Sequence, residues 1–121
     1  MLLARSLFGK TTFINFPGGG VEIEEAPRDA LLREFAEETG LVVNPVRVLY
    51  ASEQAHLSTQ APIQIVSVYW LVERVSGELR LTGNGSDVLE LFWSEIANLP
   101  LTEMFPAEIE FCAKLPHLFS S

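Results

Sequence analysis

The hydrophobic positions change period along the chain, and the changes mark the elements. Residues 2–5 and 12–16 read as short strands, the second running into Phe16-Pro17-Gly18-Gly19-Gly20. From Pro27 the period becomes helical: with Glu34 set at 0° and about 100° per residue, Leu31, Leu32, Phe35 and Thr39 fall between roughly 60° and 160°. That arc predicts a core face for a helix over 27–39. Pro27 suits its first position, Asp29 its first turn and Gly40 the left-handed position beyond its end, although Ala26 is a poor cap. Residues 46–51 read as a strand, and 52–62 as a polar, broken loop. Residues 63–73 form the longest β-rich run, with a turn at Gly77 and a further strand over 78–81. A Gly-Asn-Gly turn lies in 82–87, a strand over 88–94, a short turn or helix through 99, and a closing helix over 106–115 headed by Pro106. Strands surrounding two helices predict an α/β sandwich.

Composition narrows this picture. At 121 residues the chain is expected to be one domain spanning 1–121, and its 48% hydrophobic content is that of a globular protein. The net charge of −8 argues against a nucleic-acid backbone as partner. No apolar run is long enough to span a membrane, and MLLARSLF is too short for a signal peptide. A lone Cys112, in the apolar pattern of the last helix, excludes an internal disulfide and suits a reducing, cytoplasmic setting. His56 and His117 lack partners at metal-ligand spacing and read as solvent-facing.

The charge is not spread evenly. On the same wheel Glu37 lies near 300° and Glu38 near about 40°, so Glu34, Glu37 and Glu38 share the face opposite the core residues. A solvated face would tolerate this, since like pairs at that spacing cost only about 0.2–0.5 kcal/mol each. Three carboxylates converging on one point would equally suit a hard cation that keeps its waters and completes its shell with phosphate oxygens. Ala30 adds no bulk to that face, Arg33 lies beside Glu37 where its donors could steer a carboxylate, and the preceding glycines let backbone approach a ligand.

Residues 19–41, GGVEIEEAPRDALLREFAEETGL, match the Nudix box G-x5-E-x7-R-E-U-x-E-E-x-G-U at every position, with Phe35 and Leu41 in the apolar slots. Seven fixed residues at about 5–7% each would coincide at a given start roughly once in 10⁸–10⁹, so the segment is specific despite covering about a fifth of the chain. The chain therefore resembles the Nudix hydrolases. The resemblance implies an α/β/α sandwich with a mixed sheet, and hydrolysis of a nucleoside diphosphate linked to another group, with Mg²⁺ or Mn²⁺ assisting water in an in-line attack. It assigns Glu34, Glu37 and Glu38 to the metal, with the Gly19 carbonyl as a further ligand and Arg33 orienting the carboxylates. Glu25 matches a position more often structural. The base varies in the family; here Glu34 or a later loop acid, Asp87 or Glu90, are the candidates.

The strand over 2–5 resembles the family's second, so the usual first N-terminal strand is expected to be missing. An uncovered sheet edge invites pairing, which makes a homodimer an expectation. Hallmarks of the ADP-ribose, dinucleoside-polyphosphate and coenzyme-A subfamilies are not found. Residues 69–74 (YWLVER) resemble the central strand of MutT-like enzymes that clear oxidised purine nucleoside triphosphates. Residues 99–108 (LPLTEMFPAE) resemble the purine-reading segment of animal members. There Phe105 and Glu108 fit base recognition, but Ala107 replaces one of two acids. Core packing for Phe105 and an exposed first-turn acid for Glu108 are the competing readings. Arg5 could reach a substrate phosphate or be a surface charge. The expected activity is an Mg²⁺-dependent nucleotide pyrophosphohydrolase; the alternative is a Nudix-fold module that senses a nucleotide without cleaving it.

Overall fold

In the computed structural model, residues 1–58 and 62–118 are described. Strand β1 (Leu2–Phe8) is central in an antiparallel sheet ordered β2-β1-β7, with β2 at Thr11–Asn15 and β7 at Val88–Trp93. Helix α1 (Pro27–Thr39) connects β2 to β3 (Leu41–Ala51), which pairs antiparallel with β6 (Val68–Gly77). Between these lies a small ladder of β4 (His56–Leu57) and β5 (Gln64–Ile65). Two 3₁₀ turns, Ile96–Asn98 and Leu101–Glu103, lead into helix α2 (Pro106–Leu118). Among the described residues no helix is long and apolar enough to cross a membrane.

Several boundaries differ from the sequence expectation. β3 starts five residues before the expected 46, because Leu41 and Val43 already bury one face against α1; Pro45 is tolerated where the ladder shifts register. The apolar run 63–73 divides into β5 and β6 at Val66 and Ser67, where the Ser67 N–H bonds to the Ser52 hydroxyl and its carbonyl to the Ser52 N–H. No strand forms over 78–81. There the Arg80 N–H caps the Thr39 carbonyl and the Leu81 carbonyl accepts from Leu91. The expected loop over 52–62 contains β4, and its residues 59–61 lie outside those described.

The core is divided. Leu3, Ile14, Met104, Phe111, Cys112 and Leu115 pack beneath α2, whereas Phe35, Leu41 and Val43 pack beneath α1. Cys112 is buried, as its apolar setting predicts. Between the two clusters runs a cavity of about 870 Å³. It is lined by alternate residues of β3 (Leu41, Val43, Leu49) but by consecutive ones from Ile65 through Val72. Side chains alternate across a strand, so an unbroken lining means that the cavity follows the edge of β6 rather than a face. Among the described residues every strand pairing is antiparallel.

Candidate active site

The carboxylate stripe of α1 forms as its spacing requires, but the three acids have different surroundings. Glu34 packs its carboxylate over Gly19, so closely that a β-carbon there would sit 2.5 Å from the Glu34 Cδ. Glu38 is only 5% exposed and accepts the Gly18 N–H at 2.7 Å. Burial pushes its carboxyl up to about 8; the Gly18 N–H opposes this, and repulsion from Glu34, Asp87 and Glu37 adds to it. Glu37 stays exposed, its carboxylate 3.4 Å from Arg33 Nη1.

Arg33 is the organising cation. Its Nε and Nη2 grip both oxygens of Glu25 at 2.7 and 2.8 Å, while Nη1 reaches Glu34 at 2.7 Å and Nη2 also donates to the Gly20 carbonyl at 3.2 Å. The bond to Arg33, helped by the Glu22 N–H, holds the Glu25 carboxyl down at about 2. Glu25 thus anchors the arginine that orients two of the stripe's acids. Helix α1 ends on Gly40 at φ 83°, and Arg80 supplies the positive charge that its last turn lacks, donating to the carbonyls of Ala36 and Glu37 at 3.1 and 2.7 Å.

The two loop acids separate clearly. Asp87 bears on Glu38 electrostatically and accepts from the Asn84 side-chain amide at 2.9 Å. Glu90 instead pairs with Arg5 at 3.0 Å, since the β1–β7 register sets the two residues opposite one another. Arg5 also bonds Glu103 at 3.2 Å and lines neither cavity.

A second cavity, of about 260 Å³, opens beside α2 and is lined by Phe8, Asn15, His56, Phe105 and Glu108 among others. Phe105 stacks on Phe13 at 4.2 Å and meets Phe8 edge-on at 4.9 Å. Glu108 is not the exposed acid that its first-turn position suggested. Burial pushes its carboxyl up to about 8, against one bond from the Phe16 N–H, and its Oε2 is buried without a hydrogen-bond partner. Asn15, which the sequence reading missed, lines both cavities with Glu108 and is fixed by Ser6, whose hydroxyl donates to Asn15 Oδ1 at 2.9 Å. Its signal was a lone amide between Ile14 and Phe16 at the end of a strand. His56 is also corrected: its ring is largely buried and lies 2.9 Å from Glu110.

The donor set suits a hard divalent cation. Glu34, Glu37 and Glu38 offer only oxygens, the backbone of Gly19 approaches without a side chain, and the mutual repulsion around Glu38 is of the kind such an ion relieves. Among the described residues no three acidic, His or Cys side chains are gathered closely enough to cage a metal as they stand. Glu34 and Glu37 turn to Arg33, and Glu38 to the Gly18 N–H.

The profile of the NUDIX domain matches residues 1–115. The chain belongs to that family. It is a Nudix hydrolase, and its fold is MutT-like: a MutT protein from Methanosarcina mazei Go1 superposes with a TM-score of 0.78 at 19% identity, over 99% of this chain and 85% of that one. The 8-oxo-dGTP diphosphatase of Escherichia coli (strain K12) is 30% identical over 106 residues, 87% of this chain and 75% of that protein. An ADP-ribose pyrophosphatase of Methanocaldococcus jannaschii is 30% identical over 84 residues, 69% of this chain and 47% of that protein.

Proposed function

We propose that this Nudix hydrolase is an Mg²⁺- or Mn²⁺-dependent pyrophosphohydrolase of a purine nucleoside triphosphate. The observation that carries the reading is the Glu34 carboxylate seated on the Gly19 backbone beside buried Glu38, with Arg33 fixing the acids from behind. Glu34, Glu37 and Glu38, with the Gly19 carbonyl, would hold the ion. When bound it neutralises charge on the diphosphate and helps to position it for in-line attack.

The chain's own groups supply the rest. Glu34 is committed to Arg33, whereas the Asp87 carboxylate accepts from the neutral amide of Asn84, so Asp87 is assigned as the base that takes the proton from the attacking water. The smaller cavity takes the base. Phe8 and Phe105 offer it apolar contact, and Asn15 with the unpartnered Glu108 oxygen read its polar edge. An unmatched buried polar atom costs about 1–3 kcal/mol, which a ligand that pairs with it recovers. The E. coli relative's name supports an oxidised purine, while Ala107 leaves this chain a single acid for that edge.

Incubation with Mg²⁺ and a panel of nucleoside triphosphates, with and without 8-oxopurines, tests this by release of pyrophosphate. Release from purine substrates that stops with EDTA is expected. Nucleotide binding with no release from any substrate would favour the sensing module instead. The edge of β6 that pairs with no strand among the described residues supports the homodimer, and light scattering that finds only monomer would remove it.

A further inference from the structure

The segment that leaves β3 returns to α2 through one carboxylate. Glu110 accepts from the Tyr50 hydroxyl at 2.6 Å, from the N–H groups of Glu53 and Gln54 at 2.9 and 3.2 Å, and from His56 Nε2 at 2.9 Å. An ionised carboxylate offers only acceptors, so the His56 ring donates from Nε2. The Glu110 side chain is 7% exposed, and the Tyr50 hydroxyl, then the other donors, hold its carboxyl down at about 2. Bonds to a charged acceptor in a shielded setting are the strong ones.

These bonds join the two walls of the smaller cavity. The tethered segment continues into His56, Leu57 and Ser58, which line one side. Pro106, Ala107 and Glu108 line the other, and Glu108 is two residues from Glu110 on the same helix. Glu110 itself lines neither cavity. In a space of about 260 Å³, a displaced wall changes what fits.

We propose that Glu110 is a positioning residue: by tying the 50–56 segment to α2 it sets the width of the cavity and thereby the enzyme's discrimination between bases. This rests on the reading that the smaller cavity takes the base. Nothing in it requires Glu110 to touch substrate. Glu110→Gln keeps the size of the side chain and one acceptor oxygen, but it loses the charge and turns an amide N–H₂ towards groups that donate to the other oxygen, so the tether is weakened. Tyr50→Phe removes one donor and leaves the carboxylate with the others, so its effect should be smaller.

The test compares wild type, Glu110→Gln and Tyr50→Phe on a purine nucleoside triphosphate, a pyrimidine nucleoside triphosphate and ribose 5-triphosphate, with melting temperature recorded for each. Calorimetric binding of the purine nucleoside monophosphate in EDTA gives a readout independent of turnover. Glu110→Gln should raise KM for the purine substrate by about tenfold or more with little change in kcat, and weaken monophosphate binding in parallel. The purine-to-pyrimidine ratio of kcat/KM should fall towards one, ribose 5-triphosphate should be turned over as before, and Tyr50→Phe should lie between. Equal losses on all three substrates would mark a merely structural role and overturn the proposal. So would unchanged selectivity in Glu110→Gln or, if that variant does not fold, unchanged selectivity in Tyr50→Phe. Wild-type protein that treats purine and baseless triphosphates alike would sink the base-cavity reading itself, and with it this role; a discriminating wild type whose selectivity survives the substitutions sinks only Glu110.

Discussion

The Glu34 carboxylate lies against Gly19 so closely that a β-carbon at that position would stand 2.6 Å from Oε2 and 2.9 Å from Oε1. A β-carbon on the neighbouring Gly20 would have nothing within 4 Å. Of these two adjacent glycines, only the first is required by a close approach at the site.

Gly19→Ala should displace the Glu34 carboxylate and lower kcat/KM by about ten- to a hundredfold, with a raised Mg²⁺ requirement. The clash is with the end of a flexible side chain, so the melting temperature should change little. Gly20→Ala should behave as wild type. Paired Mg²⁺ titrations of activity settle it: equal behaviour of the two variants would contradict the assigned geometry.

Glu25 acts on the site only through Arg33, which it grips with a two-point fork. Glu25→Gln keeps one acceptor and loses the charge, freeing Arg33 to collapse onto Glu34 and Glu37. Activity should fall by about ten- to a hundredfold, as for other residues that orient metal ligands. Arg33→Lys should cost a similar amount, because an ammonium cannot serve Glu25 and Glu34 in one plane. The double variant should then be little worse than either single one. Additive losses in kcat/KM would show that the two residues work independently.

Much of the carboxylate centre was legible because its residues share one helix. Covalent spacing alone puts Glu34, Glu37 and Glu38 on one face, and Gly40 at its end marks the stop. The α/β class followed from strand-like and helical runs along the chain, and its Nudix form from the resemblance. What local sequence could not show was set by contacts between distant segments. Asp87 and Glu90 looked alike before Trp93 until the β1–β7 register set Glu90 against Arg5. Glu108 stayed open between a base-reading acid and an exposed helix-start one, because its burial depends on the distant Phe16 backbone and the loop beyond β3. His56 looked solitary because its partner, Glu110, is 54 residues away. The strand expected at 78–81 failed because the backbone of Arg80 is used to finish α1.

The side chain of the same residue gives a separate test. The Arg80 guanidinium donates to the Glu37 carbonyl and adds a second donor to the Ala36 carbonyl, which already accepts from the Gly40 N–H; such a cation at a helix C-terminus contributes about 0.3–1 kcal/mol when exposed. Arg80→Ala should therefore lower the melting temperature by about 2–6 °C. Because the capped carbonyls belong to Ala36 and Glu37, the last turn should fray and apparent Mg²⁺ affinity should weaken. Saturating Mg²⁺ should restore kcat. An unchanged melting temperature would mean that the cap adds nothing.

Glu38 sets function against stability. Its carboxyl is raised by burial, from about 4.5 in an unfolded chain to about 8 when folded. A raised folded value means that the unfolded chain gives up its proton first. The metal-free protein therefore loses stability as pH climbs from about 4.5 to about 8, by an amount of order a few kcal/mol. Glu38→Gln keeps an oxygen for the Gly18 N–H and has no charge to bury. In EDTA this variant should be the more stable protein at pH 8 and should show a shallower decline between pH 4.5 and 8, because the buried Glu108 carboxyl, also raised to about 8, keeps its own share. Its turnover with Mg²⁺ should nevertheless be largely lost, since an amide is a poor ligand for a hard cation. Denaturant melts at stepped pH, beside a pyrophosphate-release assay, separate the two effects. A variant that is both active and no more stable than wild type would refute the place assigned to Glu38 in the metal site and the cost assigned to its burial.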